Sequence, residues 1–164
     1  MGKIIVHEHS NVLEAQGERI LIAHVVNDLG VMGAGLAKQM RAKWPGVYHQ
    51  YREFVNLHRR ESLLGTVQFI QVQTHPHIVV ANCFAQHGIR SLTNLTPFSL
   101  DAFRTCLAEV GRDAVTNQLE VHMPYGIGAG LAGGKWSEIE QVIWDVCCVT
   151  NGLTVHLHKL QEYV

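Results

Sequence analysis

Apolar positions along this chain fall into short blocks of two different periods, and their alternation predicts the elements. Residues 3–7 read as a short strand, and the near-continuous apolar run 20–26 reads as a strand covered on both faces. Residues 67–73 and 78–84 read as two more strands joined through His75-Pro76-His77, which predicts a hairpin. Strands are also expected over 119–123 and 153–158. Between them, 36–43 reads as a helix closed by Trp44-Pro45-Gly46, and 47–58 as a second helix with an aromatic-rich face. Thr96 and Pro97 look like a cap and a first helical residue, with Leu100, Phe103, Leu107 and Val110 recurring at helical spacing until Gly111. Ser137 with Glu140 forms a capping-box pattern for a last helix running to Asn151-Gly152. Strands interleaved with amphipathic helices predict a three-layer α/β/α fold with a mixed central sheet, as one domain over 1–164.

The chemistry concentrates in two glycine-dense segments, Asn27-Asp28-Leu29-Gly30-Val31-Met32-Gly33-Ala34-Gly35 and Gly126-Ile127-Gly128-Ala129-Gly130-Leu131-Ala132-Gly133-Gly134. Each follows an apolar strand and precedes a helix. Glycine lets a backbone approach a ligand closely, and the helix beyond offers unpaired N–H groups to a phosphate. Both loops fall at the carboxyl ends of strands, where ligands collect in open α/β sheets. Together they can grip one diphosphate, or they can serve tight turns and helix packing. Tyr125, beside the second loop, is the aromatic placed to touch a ligand. Residues 128–133 also spell G-x-G-x-x-G, so a nicotinamide-dependent Rossmann enzyme stands as a weaker alternative. Only one predicted strand follows that motif, and it does not end in the acidic residue that would hold a ribose.

Composition narrows the partners. A formal net charge of −1 leaves no basic footprint for a nucleic-acid backbone, so no general nucleic-acid binding is expected. The apolar run at the N-terminus is too short for a signal peptide, and Val6 disfavours myristoylation at Gly2. No stretch approaches a membrane span, which predicts a soluble cytoplasmic protein without a membrane partner. Cys83, Cys106, Cys147 and Cys148 lack metal-type spacing and read as buried reduced thiols. Eleven histidines include three His-x-His pairs, at His7 and His9, His75 and His77, and His156 and His158. Two imidazoles make half a zinc site, and the one carboxylate beside a pair, Glu8, points to the other strand face, so no metal and no cofactor are expected. Trp44, Tyr48 and Tyr51 read as packing around the first helix pair.

The order of motifs resembles the macrodomain family, in the branch that holds terminal ADP-ribose protein glycohydrolases and ADP-ribose 1″-phosphate phosphatases. The matches are Ile22-Ala23-His24-Val25-Val26-Asn27 into Met32-Gly33-Ala34-Gly35-Leu36-Ala37, then Leu64-Gly65, then Met123-Pro124 into Gly128-Ala129-Gly130-Leu131 and Trp136. The resemblance implies an ADP-ribose pocket, with the diphosphate on the second loop and the distal ribose between the two loops. It gives Asn11 the adenine-recognising position, although a polar turn residue after the first strand fits there equally. Gly33, Ala34 and Gly35 would border the distal ribose, and Asn27 or Asp28 would bond its hydroxyls or aim a water. Tyr125, Gly126, Ile127, Gly128, Ala129, Gly130 and Leu131 complete the implied ligand set, with backbone N–H groups on phosphate oxygens.

Departures from the family pattern matter as much. The glycohydrolases of this branch use a lysine after the fourth strand and an aspartate in the second loop. Here residues 84–90 hold no lysine, and Ala132 takes the aspartate's place. Lys38 and Lys135 are close to the loops only in sequence. A lysine-adduct mechanism therefore lacks its amine. The remaining candidates are His24, Asp28, Gln86 and His87, of which His24 and Asp28 are the catalytic assignments. His24 either takes a proton from water or is a hydrogen-bonded core histidine, and Asp28 either directs water or shapes an exposed turn with Asn27. The expectation is an ADP-ribose-binding hydrolase that removes a substituent at the distal ribose C1″, by phosphatase or de-ADP-ribosylation chemistry. The alternative is a non-catalytic reader or sponge of ADP-ribose or a related nucleotide. An ADP-ribosylated macromolecule is the further partner this implies.

Overall fold

A computed structural model describes residues 2–160. Among them six strands form one sheet: β1 (Ile4–Glu8), β2 (Ile20–Asn27), β3 (Val67–Gln71), β4 (Ile78–Gln86), β5 (Glu120–Pro124) and β6 (Val155–Lys159). Their spatial order is β1-β6-β5-β2-β4-β3. Every neighbouring pair is parallel except β3 with β4, the expected hairpin. Four α-helices cover the sheet: α1 (Gly35–Lys43), α2 (Pro45–Leu57), α3 (Leu100–Asn117) and α4 (Trp136–Ile143), the last continued by π-helical turns over Trp144–Thr150. The α/β/α fold with a mixed sheet is as the pattern predicts.

Period-two alternation decides which face each strand residue serves. Leu21, Ala23, Val121, Met123, Val155 and Leu157 meet α3 and α4 in the larger core. Ile20, Ile22, Val80 and Ile70 face the opposite way, toward Met40, Trp44 and Val47 of the first helix pair. Tyr51 of α2 packs with Phe84, Met32 and Val26 beneath the first glycine loop. No described helix is long and apolar enough to cross a membrane. All four cysteines are buried free thiols, and burial pushes Cys147 up to about 12.

Three local expectations need correction. Pro97 does not open α3: residues 97–99 stay extended, with His87 N–H donating to Pro97 O, Ser99 N–H to Ala85 O and Phe98 N–H to Ala132 O. The cap moves to Ser99, whose Oγ accepts from Ala102 N–H at 3.1 Å. Gly111 does not end the helix either. Glycine costs a helix about 1 kcal/mol, whereas burying each of Phe103, Leu107 and Val110 returns about 1.5–3 kcal/mol. Gly111 instead admits the end of the π-helical turns after α4, since a β-carbon there would sit 2.5 Å from Asn151 Nδ2. The helix stops at Gln118, which is left-handed with φ 55°. Finally, Ser137 is not the cap of α4. The helix starts after Lys135, drawn back by Trp136 packing at 4.8 Å on Tyr125.

The strand order also gathers histidines that lie far apart in sequence. β1 and β5 both border β6, with His7 in register with His158 and His122 with His156. All four rings project from one face, and neighbouring rings stack with centroids 4.6–5.1 Å apart. Burial lowers the pKa of His122 and His156, and that of His158 to about 4. Glu120, two residues before His122, brings a carboxylate to the same face, its Oε1 accepting from His122 Nε2 at 3.2 Å. His-x-His spacing did not point to this carboxylate, because neither Glu120 nor His122 belongs to one of the three pairs.

Candidate active site

A cleft of about 820 Å³ opens at the carboxyl ends of β2, β4 and β5. That volume suits a nucleotide-sized ligand. Its walls are the first glycine loop with the start of α1, the loop after β4, and the second glycine loop. Of the residues singled out from sequence, His24, Asn27, Gly33, Ala34, Gly35, Tyr125, Gly126, Ile127, Gly128, Gly130 and Leu131 line it. Asn11, Asp28 and Ala129 do not. Gln86, Ile89, Arg90, Leu36 and Ala37 also line it. Arg90, which the sequence reading passed over, carries the one formal charge among the lining side chains, and its place in the Gly88-Ile89-Arg90 turn was the available signal.

Both loops offer backbone donors. Ala34 caps α1 without a side-chain bond, so the first-turn N–H groups of α1 face the cleft unsatisfied. In the second loop, Ile127 N–H donates to Pro124 O, Ala129 N–H to Gly126 O and Gly134 N–H to Gly128 O. Those turns consume the Ala129 donor and point the N–H groups of Gly128, Gly130 and Leu131 elsewhere, with no partner among the described residues. Gly128 is required twice over: its φ is 77°, and a β-carbon would lie 2.6 Å from the Phe98 ring. The second loop's glycines thus serve packing, and its turns leave these N–H groups open toward the cleft. Helix α4 starts three residues after Gly133, so G-x-G-x-x-G does not run into a helix as a Rossmann turn does.

His24 is buried within β2 yet borders the cleft. Its Nε2 lies 2.5 Å from Asn82 Oδ1, Asn82 Nδ2 donates to Gln68 Oε1 at 3.1 Å, and Gln68 Nε2 donates to Gln50 O at 3.1 Å. The far end of this chain is a backbone carbonyl, which only accepts. Gln68 must therefore turn its amide nitrogen outward and its oxygen toward Asn82, which in turn presents oxygen to His24. The chain fixes the Nε2–H tautomer and leaves the Nδ1 lone pair free. Desolvation lowers the His24 pKa to about 4 against the partial support of the Asn82 bond, so the ring is neutral at neutral pH. The core-histidine and proton-acceptor readings of His24 are compatible.

Asp28 departs from its expected exposure. Its carboxylate is 1% exposed, accepting from Gly88 N–H and His87 Nδ1 at 2.7 Å each and facing Arg60 Nε at 3.3 Å. It latches the loop after β4 and holds that cleft wall in place. Asn27 is likewise occupied: its Oδ1 accepts from Leu29 N–H, Val31 N–H and the Tyr51 hydroxyl, and its Nδ2 donates to Val31 O. Tyr51 is therefore more than packing; it ties α2 to the first loop. Asn11 Oδ1 accepts from Leu13 N–H at 2.9 Å, capping a short turn after β1.

An α/β/α sheet with two glycine loops closing one cleft over a strand histidine defines a class, and comparison with known proteins identifies it. No family model matches the chain. A macrodomain protein from Streptomyces coelicolor is 31% identical, with a TM-score of 0.75, 98% of this chain and 100% of that one being covered. The chain belongs to the macrodomain family. A protein of unknown function from Bacteroides thetaiotaomicron is 34% identical with a TM-score of 0.85, covering 97% of this chain and 99% of its own. An ADP-ribose 1″-phosphate phosphatase from Candida albicans is 28% identical over 131 residues, 77% of this chain and 81% of the relative.

Proposed function

We propose that this macrodomain binds ADP-ribose 1″-phosphate and hydrolyses its terminal phosphate ester. The observation that carries the reading is a neutral, tautomer-locked His24 at the floor of a cleft whose two rims offer unpaired N–H groups. The name of the Candida relative supports it. The diphosphate takes the N–H groups of Gly128, Gly130 and Leu131, Tyr125 packs on the ligand, and the start of α1 with Gly33 and Gly35 faces the distal ribose.

In the reaction, water attacks phosphorus, the bond from phosphorus to the C1″ oxygen breaks, and that oxygen takes a proton from solvent at the open rim of the cleft, balancing the one that water gives up. His24 Nδ1 accepts the proton lost by water. A free pKa near 4 suits this poorly. A phosphate dianion in the cleft raises it toward the working range. Arg90 meets the charge gathering on the phosphate oxygens. The same cleft, open at the rim, fits an ADP-ribosylated macromolecule as a further substrate. No lysine lines it, so that activity would also use water as nucleophile. Free thiols support a reducing compartment, the cytoplasm.

One observation favours a second reading. With Asp28 committed to the loop latch, His24 is left, among the described residues, as the one candidate proton acceptor bordering the cleft, as in a reader that binds without turnover. Calorimetric titration with ADP-ribose, ADP-ribose 1″-phosphate and NADH tests binding. Tighter binding of NADH than of ADP-ribose overturns the assignment of the cleft, and phosphate release separates enzyme from reader.

A further inference from the structure

The histidine face of β1, β5 and β6 lies outside the cleft and plays no part in the proposed reaction. Glu120, His122 and His156 there bring one carboxylate oxygen and two ring nitrogens within 4.8 Å of one another. We propose that these three side chains bind a divalent transition-metal ion, with zinc as the best fit.

The donor set comes first. Two imidazoles and a carboxylate suit zinc and its neighbours, and exclude soft thiolate-selected ions. Distance comes next. Ligand atoms about 2.0–2.2 Å from a tetrahedral zinc lie roughly 3.3–3.6 Å apart, so closing on the ion needs movement of about 1 Å. Glu120 Oε1 and His122 Nε2, 3.2 Å apart, already meet that spacing, so the movement lies between this pair and the part-exposed His156 ring. Gly17 leaves the approach open, for a β-carbon there would sit 3.1 Å from Glu120 Oε1.

A second layer of side chains stands behind the ligands. His122 Nδ1 lies 2.7 Å from His158 Nε2, and His158 Nδ1 lies 2.7 Å from Ser10 Oγ. His156 Nδ1 lies 2.8 Å from His7 Nε2. Each proposed ligand histidine thus has its other nitrogen engaged by another imidazole, which fixes ring orientation and directs both Nε2 atoms to the side of Glu120. A hydrogen bond at the other ring nitrogen is what orients metal-binding histidines, a place these imidazoles fill in lieu of the usual carboxylate or carbonyl. Three protein ligands leave a fourth position for water. The ion would tie β5 to β6 at the end of β5 opposite Pro124 and the cleft.

The test uses the full chain, stripped with chelator and titrated with zinc chloride by calorimetry, with cobalt(II) absorption reporting the geometry. One equivalent should bind, with a tetrahedral-type cobalt spectrum. Glu120→Gln, a conservative change at an exposed position, and His156→Ala should each weaken zinc at least tenfold. His7→Ala, which removes only a supporting ring, should cost roughly 10–100-fold. A His75→Ala/His77→Ala variant, altering the exposed hairpin pair, should bind as the wild type does. Absence of a stoichiometric site, equal affinity in Glu120→Gln and wild type, or loss of binding in the hairpin variant would each overturn the proposal.

Discussion

Protonation of His24 gives the sharpest test of the buried chain, because the structure sets both sign and size. In the unfolded chain the imidazole titrates at its ordinary 6.5, and in the fold desolvation brings it to about 4. Between those values the unfolded state binds more protons, so stability rises with pH there. The stabilisation is fully present above 6.5 and is lost as pH falls through the window toward 4. At about 1.4 kcal/mol per pH unit, His24 alone accounts for about 3 kcal/mol. His122, His156 and His158 shift in the same direction and steepen the total, so the measurement must be a difference. Urea unfolding of wild type and of His24→Gln, whose amide does not titrate, should be followed from pH 7 to pH 4. The wild type should lose about 3 kcal/mol more than the variant across that window. Parallel curves would show that His24 is not desolvated in the fold, as would an NMR titration placing it near 6.5.

Other side chains give independent checks. Asp28→Ala leaves the buried Gly88 N–H without its acceptor, at about 1–3 kcal/mol, and the half-exposed Arg60 and His87 partners add at most about 1 kcal/mol each. Chemical denaturation should therefore show a loss of about 2–4 kcal/mol, with KM raised as the cleft wall loosens; unchanged stability would contradict the latch. Gly128→Ala drives a methyl into the Phe98 ring at a φ alanine avoids, so calorimetry should show at least tenfold weaker ADP-ribose binding and differential scanning calorimetry a lower Tm. Arg90→Ala should weaken ADP-ribose 1″-phosphate roughly tenfold and ADP-ribose less, an interaction of about 1.4 kcal/mol read from the two titrations.

Much of this was legible before the fold. The apolar run of β2 needed burial on both faces, and the two glycine segments could be placed at strand ends from their flanks alone. The limits of α3 were not legible, because Gly111 and Pro97 are local signals overruled by distant ones. Phe98 is claimed by Ala132 and residue 111 must clear Asn151. Asp28 looked like a turn residue because its partners, Gly88 and His87, lie 59–60 positions away. The His24–Asn82–Gln68 chain depends on the register of three strands, which alternation within one strand does not specify. The histidine face was hidden in the same way: only when β6 enters between β1 and β5 do His7, His122, His156 and His158 meet one another and Glu120.

In the proposed reaction His24, held as a neutral Nδ1 acceptor at the floor of the cleft, serves hydrolysis at the distal phosphate. Phosphorus NMR of ADP-ribose 1″-phosphate incubated with wild type and with His24→Gln tests it most directly. The wild type should release inorganic phosphate over many turnovers, and the variant should lose at least a hundredfold while its diphosphate resonances still report binding. Perturbed diphosphate signals with no phosphate released by the wild type, or equal release by the variant, would contradict it.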